Sequence, residues 1–144
     1  MSQPYIEIPY WTLWDDMQVL LFQFLEADDV PVDELDIDGS MLRVYAMDIA
    51  PYLEQLHSEM KCGQLEWDER GPEHVADFAV TLKNGDFIPP VIIDDKGHWM
   101  DGRHRMFAAE QVGIARLPGM YYEEWKKSLK RKPRIKAPQE RRAA

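Results

Sequence analysis

Cysteine is nearly absent from this chain. Of 144 residues only Cys62 carries a thiol, which excludes an internal disulfide and any zinc cluster built on cysteines. Cys62 follows an expected helix end, far in sequence from the motif described below, and is expected to be catalytically idle. Long apolar runs are also missing, and none approaches the roughly 20 residues of a membrane helix. The first residues lack the basic stretch and apolar core of a secretory signal. These absences lead us to expect a reducing, cytoplasmic setting and no membrane partner. No internal repeat is visible.

Positive charge is scarce until the end of the chain. Residues 1–125 hold 8 Lys/Arg against 25 Asp/Glu, a net of −17, whereas 126–144 hold 9 against 1, a net of +8. The acidic part would repel a phosphate backbone, so nucleic acid is expected to meet only the basic C-terminal stretch. An acidic body with a basic pocket suits a small anionic ligand better, and its acidic face could also meet a basic partner protein.

The length predicts one domain with a real core. Tyr5–Ile8 reads as an edge strand ended by Pro9. Thr12 is the expected cap of a helix near 13–26, with Asp15 and Asp16 in its first turn and Met17, Leu20, Leu21, Phe24 and Leu25 on one face. Trp11, Trp14 and Phe22 widen that apolar surface. An acidic loop follows from Asp28 to Ser40. Its Asp36-Ile37-Asp38-Gly39 hints at a calcium loop but lacks the distal glutamate. Met41–Ala46 carries a strand signal. Asp48 should cap a helix near 49–61, buried through Ile49, Leu53, Leu56 and Met60, with Glu54, His57 and Glu59 off that stripe and His57 simply solvated. Pro72 opens a helix near 73–84, with Val75, Phe78, Ala79 and Leu82 inward and Gly85 at its end. Ile114–Tyr121 supplies another strand, and Glu123–Lys132 is compatible with a helix. We therefore expect a single domain over 1–132 with an N-terminal helical extension, and a basic disordered tail over 133–144.

The chain is organised around residues 89–113. Pro89-Pro90-Val91-Ile92-Ile93-Asp94 reads as a buried strand, 95–98 as a turn, and Trp99-Met100 as the start of the return. Met106, Ala109 and Val112 then recur at helical spacing, and Gly113 ends a helix near 104–112. Gly102 thus falls where strand turns into helix. Arg103, His104 and Arg105 occupy the first turn, where the macrodipole disfavours cations by roughly 0.3–1 kcal/mol each. Three such violations in succession point to a compensating bound anion, held by free backbone N–H groups and a guanidinium fork, with Gly102 allowing close approach.

At these residues the chain resembles the ParB/sulfiredoxin superfamily. The matching order is Val75–Leu82, Gly85, Pro90-Val91-Ile92-Ile93, then Gly102-Arg103-His104-Arg105 and Ala108 or Ala109, covering roughly Arg43–Tyr121. The resemblance implies an α/β fold: a small mixed sheet flanked by helices. It also implies a turn that binds nucleotide phosphates through Gly102, Arg103, His104 and Arg105, with Phe87, Ile88 and Pro90 bordering the nucleotide. Sulfiredoxins place a catalytic cysteine where this chain has Arg103. The partition proteins have Glu-Arg-Arg in place of Arg103-His104-Arg105 and a DNA-reading domain for which there is no room here. The Asp-Gly-x-His-Arg form looks most like the small-molecule kinase branch, in which the aspartate serves catalysis.

That resemblance puts forward Asp101 as catalytic, expected to bind Mg²⁺ or orient a nucleophile, and His104 is expected to bind phosphate as a cation or to shuttle a proton in catalysis. The expected activity is phosphoryl transfer or hydrolysis with ATP, ADP or CTP, or phosphodiester cleavage as in a nuclease. Such chemistry needs positioned positive charge more than covalent help. Arg105 is the expected direct phosphate contact, because its fork matches phosphate oxygens. The alternative is a non-catalytic acidic regulator or inhibitor that docks on a basic protein.

Overall fold

Alternation along the strands divides this chain's apolar residues between two faces of one sheet. The computed structural model describes residues 3–133. Five strands, β1 (Tyr5–Pro9), β2 (Met41–Asp48), β3 (Val91–Ile93), β4 (Trp99–Asp101) and β5 (Arg116–Tyr121), lie in the order β1-β2-β5-β3-β4. Only β3 and β5 run parallel, and the other neighbours are antiparallel. The helices are α1 (Asp15–Ala27), α2 (Ala50–Lys61), α3 (Gly71–Lys83), α4 (Arg103–Val112) and α5 (Tyr122–Ser128). The fold is therefore α+β, a mixed sheet flanked by helices as expected.

Side chains of successive strand residues point to opposite faces. Tyr45, Met47, Val91, Ile93 and Leu117 accordingly join a core roofed by α2, α3 and α4, which includes Leu56, Val75, Ala79, Met106 and Ala109. Leu42, Ile92 and Met120 face the other way, onto Met17, Leu21 and Leu25 of α1 and Trp125 of α5. Helix α1 is thus a full layer on the second face of the sheet and not an appendage to it. Among the described residues no helix is long and apolar enough to cross a membrane.

Several local expectations are corrected. Thr12 does not cap α1: its Oγ1 donates to Pro9 O at 2.7 Å within a 3-10 turn (Tyr10–Thr12), and Trp14 holds the cap position without a side-chain bond. Asp48 does serve the start of α2, accepting the Ala50 N–H at 3.1 Å, although Ile49 occupies the cap position. The last helix stops at Ser128 instead of reaching Lys132. Beyond it the backbone pairs with the 34–36 stretch, Asp36 N–H donating to Lys130 O and Lys132 N–H to Glu34 O, both at 2.8 Å. In the suspected calcium loop Asp36 accepts the Gly39 N–H at 3.0 Å, closing an ordinary polar turn. Nor is His57 merely solvated: its Nε2 lies 2.9 Å from Glu110 Oε2, and its ring meets Phe107 edge-on at 5.0 Å. Cys62 is exposed at the end of α2. The tail expected over 133–144 lies, beyond Pro133, outside the described residues.

Candidate functional site

Strand β4 ends at Asp101, Gly102 occupies the cap position with φ +120°, and α4 starts at Arg103. This is the strand-to-helix turn expected from the sequence. No side chain caps α4, so its first-turn N–H groups are left without intrahelical acceptors. The reason for glycine is packing as well as backbone freedom. A Cβ at position 102 would stand 2.6 Å from Val91 Cγ1 and 3.3 Å from Val91 Cα, so the turn rests directly on β3.

Arg105 is buried, its side chain only 7 % exposed. Its Nη1 donates to Pro89 O at 2.7 Å and Pro90 O at 2.8 Å, and its Nη2 donates to Asp101 Oδ2 at 2.5 Å. Burial pushes the guanidinium down from its ordinary value and Asp101 pulls it back. Three acceptors within the protein therefore engage the fork expected to hold phosphate. Arg105 ties the segment before β3 to the carboxylate at the end of β4. Arg103 is also engaged: Nη1 donates to Glu66 O at 3.0 Å, and the guanidinium lies over the Trp67 ring at 5.4 Å. Much of the compensation that the sequence suggested a bound anion would supply comes from carbonyls, a carboxylate and an indole.

His104 sits between the Trp67 ring (5.2 Å) and the His74 ring (5.3 Å). Among the described residues its Nε2 is the one buried side-chain nitrogen or oxygen without a hydrogen-bond partner. Burial, then the nearby Arg103 and His74, hold its pKa below the ordinary histidine value. The ring is thus neutral near pH 7, available to take a proton and poorly suited to bind phosphate as a cation.

A cavity of about 580 Å³ opens at this turn. Asp101, Gly102, His104 and Arg105 form one wall; Phe87, Ile88 and Pro89 form another. Of the expected cleft residues Phe87 and Ile88 are therefore present, whereas Pro90 contributes only its carbonyl to Arg105, and Arg103 does not line the cavity. Phe87 is 93 % exposed, which leaves no packing role to account for it. The facing wall comes from α1, through Trp14, Asp16, Leu20 and Gln23. Sequence reasoning assigned these residues no part in the site. The available signal was the placement of Trp14 and Val19 off the buried stripe of α1, since both are exposed.

Among the described residues no group of three or more His, Cys, Asp or Glu is placed to hold a metal ion. Asp16 and Asp101 line the same cavity, and one or two carboxylates are what Mg²⁺ takes when it arrives with substrate phosphates. These residues fit an ion carried in by its ligand and do not form a cage of their own.

A second histidine network lies at the far end of β4. His98 directs Nδ1 at Trp99 O (2.7 Å) and Nε2 at Glu59 Oε1 (2.6 Å), while Trp99 Nε1 donates to Glu59 Oε2 at 3.0 Å. Both ring nitrogens face acceptors, so the imidazolium is favoured. Burial works against it, but the Trp99 carbonyl and Glu59 together carry the pKa above the ordinary value. The two histidines therefore bend stability with pH in opposite senses. The His98 contribution is complete below about pH 6.5 and fades as pH rises through the raised value. The contribution of neutral His104 is complete above about pH 6.5 and fades as pH falls. Urea midpoints of the His98→Gln and His104→Gln variants, each compared with the parent between about pH 5.5 and 8, should change slope in opposite directions around the ordinary histidine value. Parallel curves for all three proteins would show that neither ring is perturbed as described.

No protein-family model matches the chain, and no curated protein or solved structure matches it either.

Proposed function

We propose that the Gly102 cavity binds a nucleotide with Mg²⁺ and that the protein is a ParB/sulfiredoxin-like enzyme of phosphoryl transfer or phosphohydrolysis. The observation that carries this reading is the coincidence of three features in one 580 Å³ cavity: the uncapped start of α4, the Asp101 carboxylate fixed by Arg105, and the exposed ring of Phe87. Uncapped N–H groups at a helix start suit phosphate oxygens. An exposed aromatic at the rim suits a base. Asp101 has Oδ2 engaged by Arg105 and would orient the attacking group or hold Mg²⁺ through its remaining oxygen. Neutral His104 would accept a proton near the same turn. Bound Mg²⁺ would neutralise phosphate charge and polarise the transferring group. The chain supplies placement of the phosphates, a fixed carboxylate and a proton acceptor.

The carboxylates that line the cavity, Asp16 and the Arg105-paired Asp101, would favour a metal dependence. Both face the cavity, so a naked triphosphate would be repelled. Calorimetry with ATP, ADP, CTP and GTP should show heat of binding with Mg²⁺ and at least about tenfold weaker binding in EDTA, a difference of roughly 1.4 kcal/mol. Asp101→Asn should keep affinity within a few-fold and lower turnover by about a hundredfold or more. If no nucleotide binds in the presence of Mg²⁺, or if Asp101→Asn turns over like the parent, the enzyme reading fails.

A further inference from the structure

We infer that the outer face of α1, with the groove beside it, docks a basic segment of a partner protein that carries lysine or arginine around a bulky apolar side chain. Two observations carry this inference. The first is an apolar surface that the fold leaves uncovered. Val19 is 56 % exposed and Phe22 37 %. Val19 and Phe22, three apart on α1, flank a groove of about 340 Å³ whose far side is Tyr10 and whose end is Glu26. The Tyr10 hydroxyl donates to Gln18 O at 2.7 Å, which fixes that wall.

The second observation is charge. Tyr10 and Phe22 also line an adjoining hollow of about 170 Å³, where Leu35 and Ile37 lie beside Asp33, Asp36 and Asp38. Across the two hollows the described residues supply four carboxylates and one cation, Lys132. Apolar floor with an acidic border is the complement of a basic amphipathic segment. A second copy of this chain would set the same carboxylates against themselves. Nucleic acid and anionic lipid would meet the same repulsion. Val19 and Gln23 form the ridge between this groove and the Gly102 cavity, so a docked segment would lie beside that site without occupying it.

The probe is a short helical peptide of leucine and lysine at amphipathic spacing, labelled for anisotropy, with its leucine–glutamate counterpart as control and the full chain as receptor. The lysine peptide should bind at micromolar concentration and weaken with added salt, and the glutamate peptide should not bind. Val19→Ser with Phe22→Ser, both exposed positions, should weaken binding by at least about tenfold. Asp33→Asn with Asp38→Asn should weaken it and flatten its salt dependence. Unfolding midpoints confirm that each variant is folded. Four results would overturn the inference. The first is no binding of the lysine peptide, and the second is binding to the Val19/Phe22 variant as tight as to the parent. The third is self-association of the parent that those substitutions abolish, which would make a second copy the occupant. The fourth is a tenfold rise in peptide affinity when Arg134, Lys136, Arg141 and Arg142 are replaced by glutamine, which would make the chain's own C-terminal segment the occupant.

Discussion

Arg105→Met should destabilise the protein by about 3–5 kcal/mol, chiefly because two carbonyls lose their donor at roughly 1–3 kcal/mol each. The guanidinium donates to Pro89 O, Pro90 O and Asp101 Oδ2, and methionine fills its volume while replacing none of these bonds. Two carbonyls at the start of β3 would lose their donor and Asp101 its counter-charge. Asp101 lies at a more accessible position, its side chain 37 % exposed, so water can replace part of what Arg105 gives it. Asp101→Asn keeps an oxygen for Nη2 but takes the counter-charge from a buried guanidinium, so it is expected to lower stability by about 1–3 kcal/mol. Arg105→Lys should fall between the two, because one ammonium cannot span three acceptors as the fork does. Urea unfolding without ligand measures all three. The design separates this account from a phosphate-binding arginine, whose loss would reduce affinity and leave the ligand-free protein intact. Arg105→Met within 1 kcal/mol of the parent would return Arg105 to the ligand.

This revision of Arg105 shows where sequence reasoning ends. Its position in the first turn of α4 followed from the spacing of Met106, Ala109 and Val112. Its partners did not, because the Pro89 and Pro90 carbonyls come within reach only when β3 lies beside the turn. The pattern in α1 was similarly half legible. Met17, Leu21 and Leu25 repeat every four residues and are all buried, so the helix and its inner face could be read. That its outer edge would form a wall of the Gly102 cavity depends on the pairing of two layers across a sheet, for which no local signal exists. At the end of the chain, Trp125 and Leu129 are four apart and suggested a longer helix. The backbone instead pairs with residues 34–36, almost a hundred positions earlier. Periodicity reports which face is buried, but it is blind to such distant hydrogen bonds.

The charge pattern was legible in sum and not in detail. An excess of carboxylates over the first 125 residues argues against a broad basic surface there. It did not reveal that the motif's two arginines would be engaged within the protein, one by Asp101 and two carbonyls and the other by Glu66 O and Trp67. Basic residues crowded at a helix start looked like an anion site. Each guanidinium instead reaches back to an element packed against α4. What this turn keeps for a ligand is the uncapped helix start and Asp101, and the proposed function rests on these together with the exposed Phe87 ring.

Gly102→Ala should have an effect as large as the loss of Arg105, by a different route. At φ +120° an alanine is strained by roughly 1–3 kcal/mol whatever surrounds it. The added Cβ would also stand 2.6 Å from Val91 Cγ1 and 2.9 Å from Val91 Cβ, an overpacking that costs about 1–3 kcal/mol. Together they predict a loss of roughly 2–6 kcal/mol, a large share of the 5–15 kcal/mol typical of a domain. The urea midpoint should fall with an unchanged slope. A second substitution distinguishes the two causes. Val91→Ala removes the Cγ1 contact, but it leaves the backbone angle and the approaches of 2.9 Å to Val91 Cβ and 3.3 Å to Val91 Cα. In the Gly102→Ala background it should therefore destabilise less than it does alone, with a coupling of about 0.5–2 kcal/mol. Strictly additive costs would exclude the Cγ1 contact as a cause and leave the backbone angle and the contacts with the Val91 Cβ and Cα. A loss below 1 kcal/mol for Gly102→Ala alone would mean that the turn can move away from β3, and the fixed geometry on which the Asp101–Arg105 pair depends would have to be abandoned.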